Sequence, residues 1–166
     1  AFRRIPQSFR YGVCAIIALI HDTLVVLGAA AIFGLAFGWE VDSLFLTALM
    51  TVIGFSVHDT IVVFDRIREN LSRMRGIPFE DVVTHSILQT LDRSINTVLT
   101  TLYVLAALIL FGGITIHHFF IMLFIGILSG MYSSIFNAAP LLVVWENNEI
   151  GKFFNRLFGR KSQATA

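Results

Sequence analysis

The chain has 166 residues, of which 56% are hydrophobic and only 14% charged, with a net charge of +1. Soluble domains carry about 25% charged residues, so this composition excludes a water-soluble enzyme and points to a membrane protein. The lone Cys14 excludes a disulfide framework and a cysteine zinc site.

The opening Ala1-Phe2-Arg3-Arg4-Ile5-Pro6-Gln7 is neither a signal peptide nor an ordinary start, and the expectation is a fragment of a longer protein. A short segment over 1–10 leads into the first of four apolar stretches, about 11–37. The others run about 44–64, 94–111 and 119–145. Each is near the ~20 residues needed to cross a ~30 Å hydrocarbon core as a helix. Strands of a membrane barrel are about half as long and alternate in polarity, which these do not. The fold class expected is therefore all-α, with a four-helix transmembrane domain over 11–145.

The loop expected over 65–93 has internal order. Asp65 to Leu71 carries the second helix out of the membrane, and Gly76-Ile77-Pro78 breaks it. Pro78, Glu80 and Asp81 start a new helix in the usual N-terminal manner. Its apolar stripe of Val82, Val83, Ile87, Leu88 and Leu91 predicts a segment lying along the interface before turning inward near Arg93. After the fourth span, residues 146–166 read as an amphipathic tail. In it Ile150, Phe153, Phe154, Leu157 and Phe158 alternate with Lys152, Arg156 and Arg160, a pattern suited to anionic lipid.

All twelve Lys and Arg fall before the first span, between the second and third, or after the fourth. The two opposite turns hold only Glu40, Asp42, His117 and His118. Cytoplasmic loops of membrane proteins are the ones enriched in Lys and Arg. Both termini and the middle loop are therefore expected in the cytoplasm.

Two acids lie inside these spans. Asp59 occurs in Gly54-Phe55-Ser56-Val57-His58-Asp59-Thr60, and Asp22 in His21-Asp22-Thr23. An acid near the centre of a membrane helix costs roughly 2.5–3.5 kcal/mol on insertion scales, so its default reading is functional. Asp59 lies about five residues inside its helix end, roughly 8 Å deep at 1.5 Å per residue. Arg93 opens the third span from the same side, and its long side chain reaches inward. A carboxylate beside arginine keeps its charge, whereas one alone in apolar surroundings binds a proton. Such a pair suits ion-coupled motion; the alternative is a static structural acid and an arginine turned to lipid phosphate.

Thr97, Thr100 and Thr101 follow Arg93 at helical spacing, either as a hydroxyl relay from Asp59 or as helix-packing contacts. Asp22 is either a second proton station or a hydrogen-bond partner for polar groups of the fourth helix. Histidine is the side chain whose ordinary titration range spans neutral pH, but adjacent helix positions point about 100° apart, which favours structural roles for both His21 and His58. A metal bound by the two His-Asp pairs is disfavoured by the same geometry. The fourth span carries Gly126-x-x-x-Gly130 with Ser129, Ser133 and Asn137, a small-residue face for close helix packing. Pro140 is expected to kink or loosen the inner end of that helix. No Gly-x-Ser-x-Gly, P-loop or His-Glu-x-x-His occurs, and the intramembrane-protease phrase Gly-x-Gly-Asp is also missing. Neither a cofactor nor nucleic acid is called for.

The run from Gly54 through Asp65-Arg66-Ile67-Arg68-Glu69-Asn70 closely resembles the signature of the SecF family, part of the SecD–SecF protein-export complex. Ala18-Leu19-Ile20-His21-Asp22, Gln89 to Thr97, Leu110-Phe111-Gly112-Gly113 and Tyr132 to Phe136 extend the resemblance in the family's order. It implies the resistance–nodulation–division fold, with this chain as helices three to six of a six-helix half. It further implies a subunit that uses a proton or sodium gradient to draw exported polypeptide from the SecYEG channel, together with a SecD-like subunit. In the family's pattern Asp59 and Arg93 occupy the ion-coupling acid and its basic partner. His58 stands where family members usually carry Asn, which leaves the coupling ion open. The membrane implied is the plasma (inner) membrane or a thylakoid. A small-molecule exporter of the same superfamily and a non-coupling scaffold are the alternative readings.

Overall fold

The computed structural model describes residues 8–146, which form four long helices. These are α1 (Ser8–Phe37), α2 (Ser43–Arg73), α3 (Phe79–Phe111) and a fourth rod. The fourth comprises α4 (Ile114–Ser133), a π-helical segment (Ser134–Ala138) and α5 (Ala139–Glu146). All four are long and apolar enough to cross a membrane. The amphipathic tail expected beyond Glu146 and the basic Arg3 and Arg4 lie outside the described residues.

The connections follow local chemistry. Gly38 takes φ 68°, open to a residue without Cβ, and lets α1 end. Asp42 then caps α2 by accepting the Phe45 amide at 2.8 Å. α2 and α4 lie at the centre and pack on each other, while α1 and α3 flank them. Arg10 at the start of α1 pairs with Glu146 at the end of α5 at 2.7 Å, so both ends meet at one face of the bundle.

The structure corrects the middle of the chain. The loop expected over 65–93 is a turn at 74–78, because α2 runs to Arg73 and α3 starts at Phe79. No separate interfacial helix turns inward at Arg93; α3 is continuous for 33 residues. At 1.5 Å per residue that is about 50 Å, well beyond a ~30 Å hydrocarbon core. Two physical reasons account for this. The stretch from Phe79 to Phe111 contains neither Gly nor Pro to interrupt the ladder. The stripe of Val82, Val83 and Ile87 is also occupied. Val82 is fully buried, and Val83 and Ile87 pack in a cluster with Phe64 and Ile67 of α2.

Polar contacts tie the projecting parts of α2 and α3 together. The buried Asn70 donates to Ser86 Oγ at 2.8 Å and to Gln89 Oε1 at 2.9 Å, and Arg66 Nε donates to the same Gln89 oxygen at 2.7 Å. A typical intramolecular hydrogen bond contributes about 0.5–1.5 kcal/mol net, and Asn70 donates two. Asn70→Ala is thus expected to destabilise the full-length protein in detergent by about 1–3 kcal/mol, read as a lower thermal midpoint. An unchanged midpoint would show this clasp to be idle.

The core has three layers. One apolar cluster includes Val26, Ala48, Val52, Val98, Leu102 and Ile127. The other includes Cys14, Ala18, Val63, Phe64, Ala138 and Leu142. Between them in sequence, on every helix, sit buried polar residues: Asp22 on α1, Ser56 and Thr60 on α2, Ser94 on α3, and Ser133 and Ser134 on the fourth rod. A polar layer thus crosses the bundle between two apolar halves, where each group must find a partner inside the protein.

Candidate functional site

The polar layer divides into two centres, which bond to different neighbours of α2. The first is Asp59, which faces α3. Its Oδ1 accepts the Ser94 hydroxyl at 2.8 Å. Its Oδ2 is buried and has no hydrogen-bond partner. A carboxylate with one oxygen held and the other bare is far from its preferred surroundings, since buried polar groups are nearly always paired.

Arg93 does not supply the missing partner. Among the described residues no ion pair joins it to Asp59, and it is exposed on the outer side of α3. The reason is angular. Thr90, Ser94, Val98 and Leu102 form the buried face of α3, and Arg93 lies about 100° from Ser94 around the helix. The expected threonine relay is likewise not assembled at Asp59. Thr97 donates to the Arg93 carbonyl at 2.9 Å, Thr100 to the Asn96 carbonyl, and Thr101 to the Thr97 carbonyl at 2.9 Å. Each hydroxyl is spent on its own helix. Arg93, Asn96, Thr97 and Thr100 together form an exposed polar strip on a helix otherwise apolar enough to span a membrane. His58 is also exposed and takes no part in the Asp59 hydrogen bond.

The second centre is Asp22, 1% exposed and surrounded by donors. Its Oδ2 accepts Ser56 at 2.5 Å and Ser133 at 2.7 Å. Its Oδ1 lies 3.3 Å from the Ser129 hydroxyl and 3.2 Å from His21 Nδ1. One carboxylate therefore ties α1 to α2 and α4. Asp22 does partner polar groups of the fourth helix, Ser129 and Ser133, which leaves open whether it also takes up a proton. Ser133 serves both as a small packing residue and as a donor.

Close approach makes this centre possible. A Cβ placed on Gly130 would lie 3.3 Å from Ser56 Cβ and 3.8 Å from Asp22 Oδ2. At Gly126 it would fall 2.3 Å from Val52 and 3.0 Å from Val26. The small-residue face of α4 is thus the surface that brings Ser129 and Ser133 to Asp22. One turn on, Ser134 donates to the Gly130 carbonyl at 2.9 Å and its oxygen lies 3.0 Å from Thr60 Oγ1. The π segment begins here and ends two residues before Pro140. Proline has no N–H for the regular ladder, and the helix widens into a π segment ahead of it.

Two partners escaped the sequence reading, Ser94 for Asp59 and Ser56 for Asp22. Ser56 and Thr60 were detectable as an i, i+4 hydroxyl pair in an apolar span. Ser94 gave no signal apart from its place beside Arg93.

Residues 6–148 match the family model described as protein export membrane protein SecD/SecF, C-terminal. The chain belongs to this family. The SecD/SecF assignment agrees with several similar proteins. The translocase subunit SecF of Thermobaculum terrenum is 62% identical over 156 residues, which cover 94% of this chain and 49% of that one. The SecF of Anaerolinea thermophila is 59% identical over 157 residues, 94% of this chain and 51% of that one. The chain therefore spans about half the length of these curated relatives. A crystal structure of SecDF in a super-membrane-facing form superposes with a TM-score of 0.80 at 38% identity, over 90% of this chain and 20% of that one. The SecD/SecF fold, here as its C-terminal part, is a multi-pass helical membrane architecture, as the four apolar helices require.

Proposed function

We propose that this chain is the C-terminal membrane part of a protein-translocase subunit that couples ion flow to a late step of polypeptide export. Its partners are a SecD-like subunit, the SecYEG channel, the exported polypeptide and membrane lipid. The observation that carries the coupling is the half-satisfied carboxylate of Asp59, with Oδ1 on Ser94 and Oδ2 buried and bare. Such an oxygen is relieved in two ways: it takes up a cation, or a guanidinium comes to it.

In this reading Asp59 binds and releases a proton or sodium ion. Arg93, one position from Asp59's own partner Ser94, serves as the alternate counter-charge after a rotation or shift of α3. Asp22 and the threonines Thr97, Thr100 and Thr101 are assistants to that motion. The exposed Arg93 and Asn96 support a protein neighbour on this face, because lipid hydrocarbon offers such groups no partners at membrane depth. The basic residues and the meeting of α1 and α5 at Arg10 and Glu146 support both termini lying at the cytoplasmic face of an inner membrane, or the equivalent face of a thylakoid.

The test is export into inverted membrane vesicles that contain the full-length complex. Collapsing the ion gradient with an ionophore is expected to remove the export contributed by this subunit, judged against vesicles lacking it. If the subunit contributes equally with and without a gradient, it is a scaffold and the coupling reading fails.

A further inference from the structure

Asp22 is enclosed on three sides by uncharged groups and touched by a single titratable one. From α2 the facing group is Ser56, and from α4 they are Ser129, Gly130 and Ser133. Asp59 lies less than one turn beyond Ser56 on α2, but its bond is to Ser94 of α3. That leaves His21, the neighbour of Asp22 on α1, with Nδ1 3.2 Å from Oδ1. The two residues differ sharply in access: the Asp22 side chain is 1% exposed and that of His21 is 43% exposed.

The exposed edge of His21 lines a cleft of about 420 Å³ between α1 and the fourth rod. Its walls include Ile17, Ala18, Phe136, Asn137, Pro140 and Leu141, none of which carries charge. The π segment contributes Phe136 and Asn137 to these walls. From His21 the cleft follows α1 back toward Ile17 and α5 forward toward Val144. It therefore runs toward the end of the bundle where Arg10 meets Glu146, with Val144 as its last wall residue on that side.

We propose that His21 is the proton entrance to Asp22, making the pair a second protonation site, separate from Asp59 and loaded through this cleft. In the starting state the neutral imidazole donates from Nδ1 to the carboxylate. A proton from water in the cleft binds Nε2, the Nδ1–H bond breaks, and that proton forms an O–H bond at Asp22 Oδ1. The ring is then neutral again with its proton on Nε2, the carboxyl is neutral, and the pair has gained one proton. Release by the same route reverses both transfers. Ser129 and Ser133 have carbonyls one turn back to which their hydroxyls turn when the carboxylate loses its charge, as Ser134 already does to Gly130. A π segment beside the proton path fits the recurrence of such segments at functional sites. The proposal shares the membrane placement of the function above but not its coupling by Asp59, and its test needs no export.

The test is infrared difference spectroscopy of the full-length complex in liposomes, following the carboxyl C=O stretch after a pH jump. A band lost in Asp22→Asn and retained in Asp59→Asn is expected. In His21→Gln that band should reach the same amplitude about 10²-fold more slowly, the low end of what a positioned proton-transfer group contributes. If Asp22→Asn does not assemble, Asp22→Glu assigns the band by shifting it. A His21→Gln band that rises at the wild-type rate overturns the proposal, as does a carboxyl at position 22 that never protonates while the complex is intact. Access is read separately with His21→Cys in an otherwise cysteine-free full-length chain. Water-soluble thiol reagents should label it from the face bearing Arg10; no labelling from that face overturns the route.

Discussion

Asp59→Asn is expected to abolish the gradient-dependent part of export while the complex assembles at its normal level. Asparagine has nearly the shape of aspartate, and its Oδ1 still accepts the Ser94 hydroxyl at the position now occupied at 2.8 Å. The packing around α2 and α3 is therefore kept. What is lost is the charge at Oδ2, the buried oxygen without a partner. An amide neither exchanges a proton near neutral pH nor attracts Arg93. One elementary charge crossing 100 mV is worth about 2.3 kcal/mol, enough to bias a two-state rearrangement roughly fiftyfold. The stimulation of export by the gradient should fall by a factor of that order, measured in inverted vesicles with subunit levels matched by immunoblot. Full stimulation in an assembled Asp59→Asn complex would remove Asp59 from the coupling step.

Gly126→Leu is expected to have the largest structural effect. Even the first added carbon would lie 2.3 Å and 2.8 Å from the two methyls of Val52 and 3.0 Å from Val26. All three contacts are within the apolar core, so α4 must move away from both α1 and α2. Overpacking of this kind costs about 1–3 kcal/mol. The displacement also pulls Ser129 and Ser133 from Asp22, which leaves a buried carboxylate short of donors. The full-length protein should show a lower thermal midpoint in detergent and reduced recovery of the assembled complex by size exclusion. Gly28→Ala is the matched control, since a Cβ there meets nothing within 4 Å. Equal behaviour of the two variants would mean that the close approach of α4 is not what holds the bundle.

Several features of this chain were legible without coordinates, because they depend on one helix at a time. Four apolar runs, with the basic residues confined to alternate connections, are linear properties of the chain. So is the break at Gly76-Ile77-Pro78, and the structure does place the turn between α2 and α3 there. The spacing of Gly126 and Gly130 puts both on one helix face whatever that face meets. Asp59 stood out because an acid in an apolar span is costly wherever its helix lies.

What only the tertiary structure decided is which groups meet. Rotation of one helix against another is not written in its own periodicity; it is set by how the side chains of both interlock. On α3 this rotation turns Ser94 toward Asp59 and leaves Arg93 exposed, a difference of one residue and about 100°. It turns Val82 and Val83 onto the bundle, where the sequence suggested a lipid-facing stripe. On α4 the absence of side chains at Gly126 and Gly130 admits Val52, Val26 and Ser56, and that closeness gathers three serines around Asp22. The sequence by itself determined that this is a four-span helical membrane chain carrying two acids within its spans. The packing of those helices decided that one acid is saturated with hydrogen bonds and the other is left half bare, because partners come from neighbouring helices and not from the helix that bears the acid.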